Sequence, residues 1–223
     1  MLLWEKRAFL KGASIIIGVD EVGRGPLAGP VVAAAFLFHP LPLKKFIPPS
    51  YKEKIDDSKK LSPMRRTAAF NEIVKKSLFG IAIKDHIFID TKNIYRSTLA
   101  AMKNAVNNLI RDFCRLNNKK ENDIKKDICI LIDGKMNMDF PYKTFEIIKG
   151  DSKSFSIASA SIIAKVTRDR MMEEYDKIYP LYGFRRHKGY GTRLHLEAIQ
   201  QYGPCPIHRR SFAPLKAQVV NYI

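Results

Sequence analysis

The sequence predicts an α/β fold, a mixed five-stranded sheet with helices on both faces, and three observations point to it. Short apolar or β-branched runs recur at 14–19, 31–38, 80–89, 128–133 and 144–150. The first three lie early in the chain, and the later ones alternate with long stretches of helical periodicity. The run ICILID at 128–133 is apolar up to its closing aspartate, as expected of a central strand covered on both sides.

The elements follow in order. SIIIGV, 14–19, reads as a buried strand that stops at Asp20. VVAAAFLF, 31–38, reads as a second strand across the turn GRGPLAGP. Residues 39–57 carry Pro40, Pro42, Pro48 and Pro49 among lysines and are expected to form a surface loop. Ser62 followed by Pro63 announces a helix whose apolar side holds Ala69, Ile73 and Val74. GIAIKDHIFI, 80–89, reads as the third strand. A long helix is expected from about Arg96 to Leu116, where Leu99, Met102, Val106, Leu109, Ile110 and Phe113 recur at helical spacing. The lysine-rich stretch 117–126 reads as a solvated loop.

After the strand 128–133, TFEIIKG at 144–150 is the fifth strand and feeds a helix from about Ser152 to Ile178. Its early turns hold Ser156, Ala158, Ser159, Ala160, Ser161 and Ala164, small enough for its backbone to approach a sheet closely. A last helix near Thr192 to Tyr202 and a proline-broken tail end the chain. One domain spanning 1–223 is expected, with about 180–223 as a C-terminal helical flap.

Composition narrows the function. The chain has 223 residues, 46% of them hydrophobic, which excludes wholesale disorder, and a formal net charge of +17. A folded chain this basic is built to meet a polyanion, nucleic acid before anionic membrane, although a coding bias toward Lys, Asn and Ile would also raise the charge. Cys114, Cys129 and Cys205 are odd in number and widely spaced, which supports neither a disulfide framework nor a zinc site. No apolar run approaches the roughly 18 residues needed to span a bilayer. A cytoplasmic protein with no membrane partner is expected.

Aspartates end two of these strands, Asp20 and Asp133, and Asp151 stands just before a helix. Adjacent strands lie about 4.8 Å apart, so their ends can bring carboxylates to one point. Like charges so close call for cations, and oxygen donors select hard ions such as Mg²⁺ or Mn²⁺. Two such ions about 3.5–4 Å apart suit phosphodiester hydrolysis. The plainer alternative is that each aspartate forms a turn or caps a helix, Asp151 above all.

Several blocks together resemble the bacterial ribonuclease HII family. They are GVDEVGRGPLAGPVVAAA at 18–35, DDSKKLS at 56–62, LIDG at 131–134, KGDSKSFSIASASIIAKVTRDR at 149–170, YGFRRHKGYGT at 182–192 and HLEAIQQYGPCPIHRRSFAP at 195–214. The resemblance is collinear from about residue 14 to residue 215. It implies an RNase H-like fold and endonucleolytic cleavage, with Mg²⁺ or Mn²⁺, of RNA in RNA/DNA hybrids and of single ribonucleotides in duplex DNA. The products would carry a 3′-hydroxyl and a 5′-phosphate, and the protein is expected to work as a monomer.

By the same resemblance Asp20, Glu21, Asp133 and Asp151 are the metal-binding and catalytic acids, with Asp20 shared between the ions. Gly23, Arg24 and Gly25 would read the 2′-hydroxyl, Gly23 and Gly25 by close main-chain approach and Arg24 by holding a phosphate. Tyr190 would pack on the nucleotide beyond the ribonucleotide. Lys59, Lys60, Arg186 and Lys188 are candidate phosphate contacts, as are Arg185, His187, His208, Arg209 and Arg210. Asp169 in VTRDR is expected to be structural.

Two features depart from the family: the proline-rich segment 39–55 and Lys135, where an asparagine often follows the D-G pair. The short N-terminus disfavours the relative ribonuclease HIII. A non-catalytic nucleic-acid binder would leave the acids unexplained, and a junction resolvase would leave the G-R-G and G-Y-G-T blocks unexplained.

Overall fold

The computed structural model describes residues 2–38 and 61–216. At its centre is a five-stranded sheet in the order β3-β2-β1-β4-β5. The strands are β1 Ile15–Val22, β2 Val31–Phe38, β3 Ser77–Lys84, β4 Ile128–Asp133 and β5 Lys143–Ile147. The pairs β1–β2 and β2–β3 are antiparallel, and β4 runs parallel to both β1 and β5. The expected mixed sheet is therefore present.

Strand alternation sorts the core into two layers. Val31, Ala33, Ala35 and Leu37 of β2 join Ile15, Ile17 and Val19 of β1 on one face. They pack on Ala101, Met102, Ala105, Val106 and Leu109 of the long helix Ile94–Leu116. Val32, Ala34 and Phe36 point the other way, onto Ala69 and Ile73 of the helix Pro63–Lys76 and onto the helix Phe155–Ile178. In chain order the helices are α1 Leu3–Leu10, α2 Pro63–Lys76, α3 His86–Lys92, α4 Ile94–Leu116, α5 Glu121–Ile124, α6 Phe155–Ile178, α7 Phe184–His187 and α8 Arg193–Tyr202.

Two glycines mark where helices cross the sheet. A Cβ on Gly18 of β1 would lie 2.1 Å from the carbonyl carbon of Ser156, and one on Gly80 of β3 would lie 2.1 Å from the carbonyl oxygen of Ala105. Only a bare backbone fits there; at Gly18 this is the close approach expected of the small-residue turns of α6, and at Gly80 the helix is α4.

Several boundaries differ from expectation. β1 does not stop at Asp20 but continues to Val22, because Asp20, Glu21 and Val22 pair with Ala34, Ala33 and Val32 of β2 after the parallel partner β4 has ended opposite Val19. β3 lies earlier than 80–89, and its expected second half is α3, since the Asp85 carboxylate caps that helix by accepting from the Phe88 N–H at 2.7 Å. Part of 117–126 forms α5. Helix α1 has no sequence signal, its N-cap Leu2 offering no side-chain acceptor. Ser62 and Thr192 cap α2 and α8 as expected. The proline-rich segment 39–55, with Lys59 and Lys60, lies outside the described residues.

Candidate active site

The ends of β1 and β4 hold the first three acids. The parallel register runs to Val19 opposite Ile132, so Asp20 and Asp133 each stand one residue beyond the last pair. Asp20 alternates with Gly18 and Ile16 and so shares their face, against α6. Its side chain is 6% exposed and hydrogen-bonds Ser161 of α6, and Oδ1 accepts from the N–H of Glu21 at 2.7 Å. Burial pushes the Asp20 carboxyl well above its usual range, and the charges of Glu21 and Asp133 push the same way.

Glu21 alternates to the opposite face, where its Oε1 accepts from Arg24 Nη1 at 3.2 Å. Its pKa is also raised, by burial, with Arg24 opposing.

Asp133 and Asp151 are joined through the turn Gly150–Ser152. The N–H of Gly150 donates to Asp133 Oδ1 at 2.6 Å, and Asp151 is buried beside it. The helix that follows is capped by Ser154, whose hydroxyl accepts from the Ile157 N–H, so Asp151 is not the N-cap of α6. The buried Glu5 of α1 reinforces this end of the helix, accepting from Ser154 Oγ at 2.6 Å and from the Ser156 N–H at 2.9 Å.

The donor set suits a hard divalent cation. It is all carboxylate oxygen, and its members raise one another's proton affinity, a cost that bound cations would offset. Strand alternation turns Glu21 away from Asp20, and among the described residues no group of three or more His, Cys, Asp or Glu is drawn in to ligand distance.

The G-R-G turn lies next to these acids and is held from beneath by two buried arginines. Arg209 donates from Nη2 to the Gly23 carbonyl at 2.6 Å, from Nη1 to that of Arg24 at 2.9 Å and from Nε to that of Gly29 at 3.0 Å. Arg168 of α6 donates to the carbonyls of Pro30, Ala28 and Lys188. Both guanidiniums are fully buried, and burial lowers their pKa to about 9 for Arg209 and about 10 for Arg168. Both remain charged at neutral pH.

The turn's glycines differ in purpose. Gly23 has φ +94°, and a Cβ there would meet Arg168 Nε at 2.3 Å and the Pro30 carbonyl at 2.6 Å, so the protein itself demands glycine. A Cβ on Gly25 would meet only Tyr190 Cε1, at 3.6 Å. The structure thus brings Gly25 and Tyr190 together, with the Tyr190 ring 42% exposed, while Leu27 N–H donates to the Gly189 carbonyl at 2.8 Å.

Several basic residues expected at phosphates have other surroundings. Arg209 is spent on the turn. His208 and His187 are buried, because they pack among Tyr182 and Phe184. Lys188 Nζ donates to Glu173 Oε1 at 2.8 Å. Arg24, Arg185, Arg186 and Arg210 are exposed. Asp169 accepts from Lys165 of the same helix at 2.8 Å.

Sequence reasoning missed Arg168 and His195. The signal for Arg168 was its place on the buried stripe Ala164–Arg168–Met172 of α6, where an arginine must find acceptors. For His195 it was the matching stripe with Ala198 and Ile199 on α8.

The family model described as Ribonuclease HII matches residues 17–215. The ribonuclease HII of Acetivibrio thermocellus is 50% identical over 213 residues, covering 95% of this chain and 75% of that protein. Among solved structures, the ribonuclease H2 of Pyrococcus horikoshii superposes with a TM-score of 0.64 at 24% identity, over 91% of this chain and 96% of that one. The Bst ribonuclease HIII crystallised with Mn²⁺ superposes with a TM-score of 0.69 at 18% identity, over 96% of this chain and 72% of that one. With a match over nearly all of the sheet and its helices and half of all residues shared with a curated relative, the chain belongs to the ribonuclease HII family and is a metal-dependent ribonuclease of the ribonuclease H class.

Proposed function

We propose that the chain hydrolyses the RNA strand of RNA/DNA hybrids and nicks duplex DNA on the 5′ side of a single embedded ribonucleotide, leaving a 3′-hydroxyl and a 5′-phosphate. Asp20, Glu21, Asp133 and Asp151 would hold two divalent ions, Mg²⁺ or Mn²⁺. The observation that carries this reading is the Asp20 carboxyl, buried at a sheet end where Glu21 and Asp133 raise its proton affinity further. Such crowding is costly in an empty site and is relieved by bound cations.

When bound, the ions supply Lewis acidity for attack of water on the phosphorus and for departure of the 3′-oxygen. The protein's own groups do the rest. Asp133 is oriented by the Gly150 N–H and Asp20 by the N–H of Glu21. Arg24, half-exposed beside Glu21, holds the phosphate next to the ribose. Gly25 leaves space for the ribose edge beside Tyr190, which stacks on the neighbouring deoxynucleotide. Arg186 adds an exposed phosphate contact. The chain is proposed to act as a cytoplasmic monomer of one domain. Among the described residues no helix is long and apolar enough to cross a membrane.

One assay tests this reading: a DNA duplex with one ribonucleotide, an RNA/DNA hybrid and an all-DNA junction are incubated with Mg²⁺ or Mn²⁺, then with chelator. The expected result is a nick 5′ of the ribonucleotide and cleaved hybrid, both abolished by chelator. An uncut ribonucleotide duplex beside a cut junction would replace the reading with a junction resolvase.

A further inference from the structure

Beneath Tyr190 lies a line of buried side chains, and one of them touches its backbone. The Tyr190 carbonyl is 2.9 Å from His195 Nδ1. A carbonyl only accepts, so Nδ1 carries the hydrogen and a neutral His195 presents Nε2 as an acceptor. That nitrogen is 3.0 Å from His208 Nε2, and His208 Nδ1 lies 3.1 Å from the Cys205 thiol and 3.2 Å from the Cys205 carbonyl.

Burial favours the neutral forms of all three side chains. Burial lowers both His195 and His208 to about 4 and raises the Cys205 thiol to about 11. All three are neutral at physiological pH.

A second arm meets the first at the same peptide. His187 Nε2 lies 2.7 Å from the Tyr182 carbonyl and must donate, so its Nδ1 accepts from the Gly189 N–H at 3.1 Å. Its ring stacks on His195 with centroids 4.4 Å apart, and its carbonyl accepts from the Tyr190 N–H at 3.0 Å. Both polar groups of the Tyr190 backbone are therefore held from below, while the phenol ring stands out against Gly25. An exposed aromatic with a fixed base recognises by position and not by adjustment.

We propose that His195 is a positioning residue for substrate discrimination: by donating from Nδ1 to the Tyr190 carbonyl, it sets where the Tyr190 ring meets the nucleotide beyond the ribose. The proposal rests on the role given to Tyr190 above. His195 itself is buried and does not touch substrate.

Two variants of His195 separate its two ring nitrogens. The amide nitrogen of His195→Asn can stand where Nδ1 stands and keep the side-chain donor to Tyr190, whereas that of His195→Gln reaches toward His208 and leaves the Tyr190 carbonyl held by the Thr192 N–H alone. The readout is kcat/KM on the single-ribonucleotide duplex divided by kcat/KM on a long hybrid. His195→Gln should lower this ratio about fivefold, the worth of one neutral hydrogen bond, and His195→Asn should stay within about twofold of wild type. Equal effects from the two variants, or no effect from His195→Gln, would overturn the positioning role.

Thermal unfolding of both variants monitors folding. If either fails to fold, ¹⁵N spectra of the wild-type imidazole decide: hydrogen on Nδ1 of His195 supports the positioning role, and an Nδ1 without hydrogen overturns it. An unchanged ratio in Tyr190→Ala sinks the role of Tyr190 itself. An unchanged ratio in His195→Gln beside a lowered one in Tyr190→Ala sinks the positioning role alone.

Discussion

The N–H of Gly150 donates to Asp133 Oδ1 at 2.6 Å, which ties the turn carrying Asp151 to the end of the strand beside the one carrying Asp20. The four acids come from three places in the chain, and this bond fastens two of those places together. Gly150 leaves the approach open, since a Cβ there would already be 3.3 Å from that same oxygen and 2.6 Å from Ile157 Cδ1.

Asp20→Asn is expected to cut cleavage by at least about a hundredfold, the scale set by losses at residues that support metal ligands. The same change removes a buried charge that Glu21 and Asp133 disfavour, so without divalent ions the thermal midpoint should hold or rise. A variant that is inactive because it unfolds would refute the assignment.

Divalent ions should stabilise the wild-type fold. At a hundred times its Kd, a cation that binds only the native state adds about 2.7 kcal/mol. Thermal unfolding with and without Mn²⁺ should show the rise in wild type and a clear reduction of it in Asp20→Asn; equal rises in both would place the ion elsewhere.

Arg209 and Arg24 are separated by burial. Arg209→Ala leaves the carbonyls of Gly23, Arg24 and Gly29 without their donor and should cost on the order of 3–5 kcal/mol, measured by denaturant unfolding. Arg24→Ala should change stability by less than about 0.5 kcal/mol and reduce the salt dependence of hybrid binding by about one phosphate contact.

Gly23 and Gly25 should behave oppositely. Gly23→Ala forces a side chain into φ +94° and onto Arg168 and Pro30, a loss of at least about 2 kcal/mol. Gly25→Ala meets only the Tyr190 ring at ordinary contact distance, so the fold should persist while cleavage at a single ribonucleotide falls. Comparable unfolding midpoints for the two variants would contradict this division.

Acid should weaken the fold through the buried histidines. His208 has its folded pKa lowered to about 4 by burial and by His195, below an unfolded value near 6.5, so the unfolded chain binds the extra proton between those values. Stability therefore falls as pH drops through that window and stops falling for this reason below about 4. The unfolding free energy of wild type relative to His208→Gln should narrow by about 1.4 kcal/mol per pH unit there; a constant difference would show that His208 is already charged in the native state.

Periodicity and capping residues located most elements, because a strand or helix advertises its buried face in one local stretch. β2 and β4 have the expected bounds, and α2 and α8 start at the serine and threonine that announce them. The failures are also physical. β1 outruns its apolar stretch because pairing with β2 carries Asp20 and Glu21 on. Asp85 turned an expected strand into a helix by capping it. The tail HRR reads as a charge cluster, yet only its last residue is exposed, since the acceptors that bury Arg209 lie far away in sequence and His208 packs against His195.

By itself the sequence determined the α/β class and, through its motif blocks, the family, because hydrophobic period and residue type are local properties. Only the tertiary structure decided which charges face solvent and which are internal fastenings. That division depends on donors meeting acceptors across separations as long as Arg209 to Gly23, where burying a guanidinium is tolerable only once backbone carbonyls surround it.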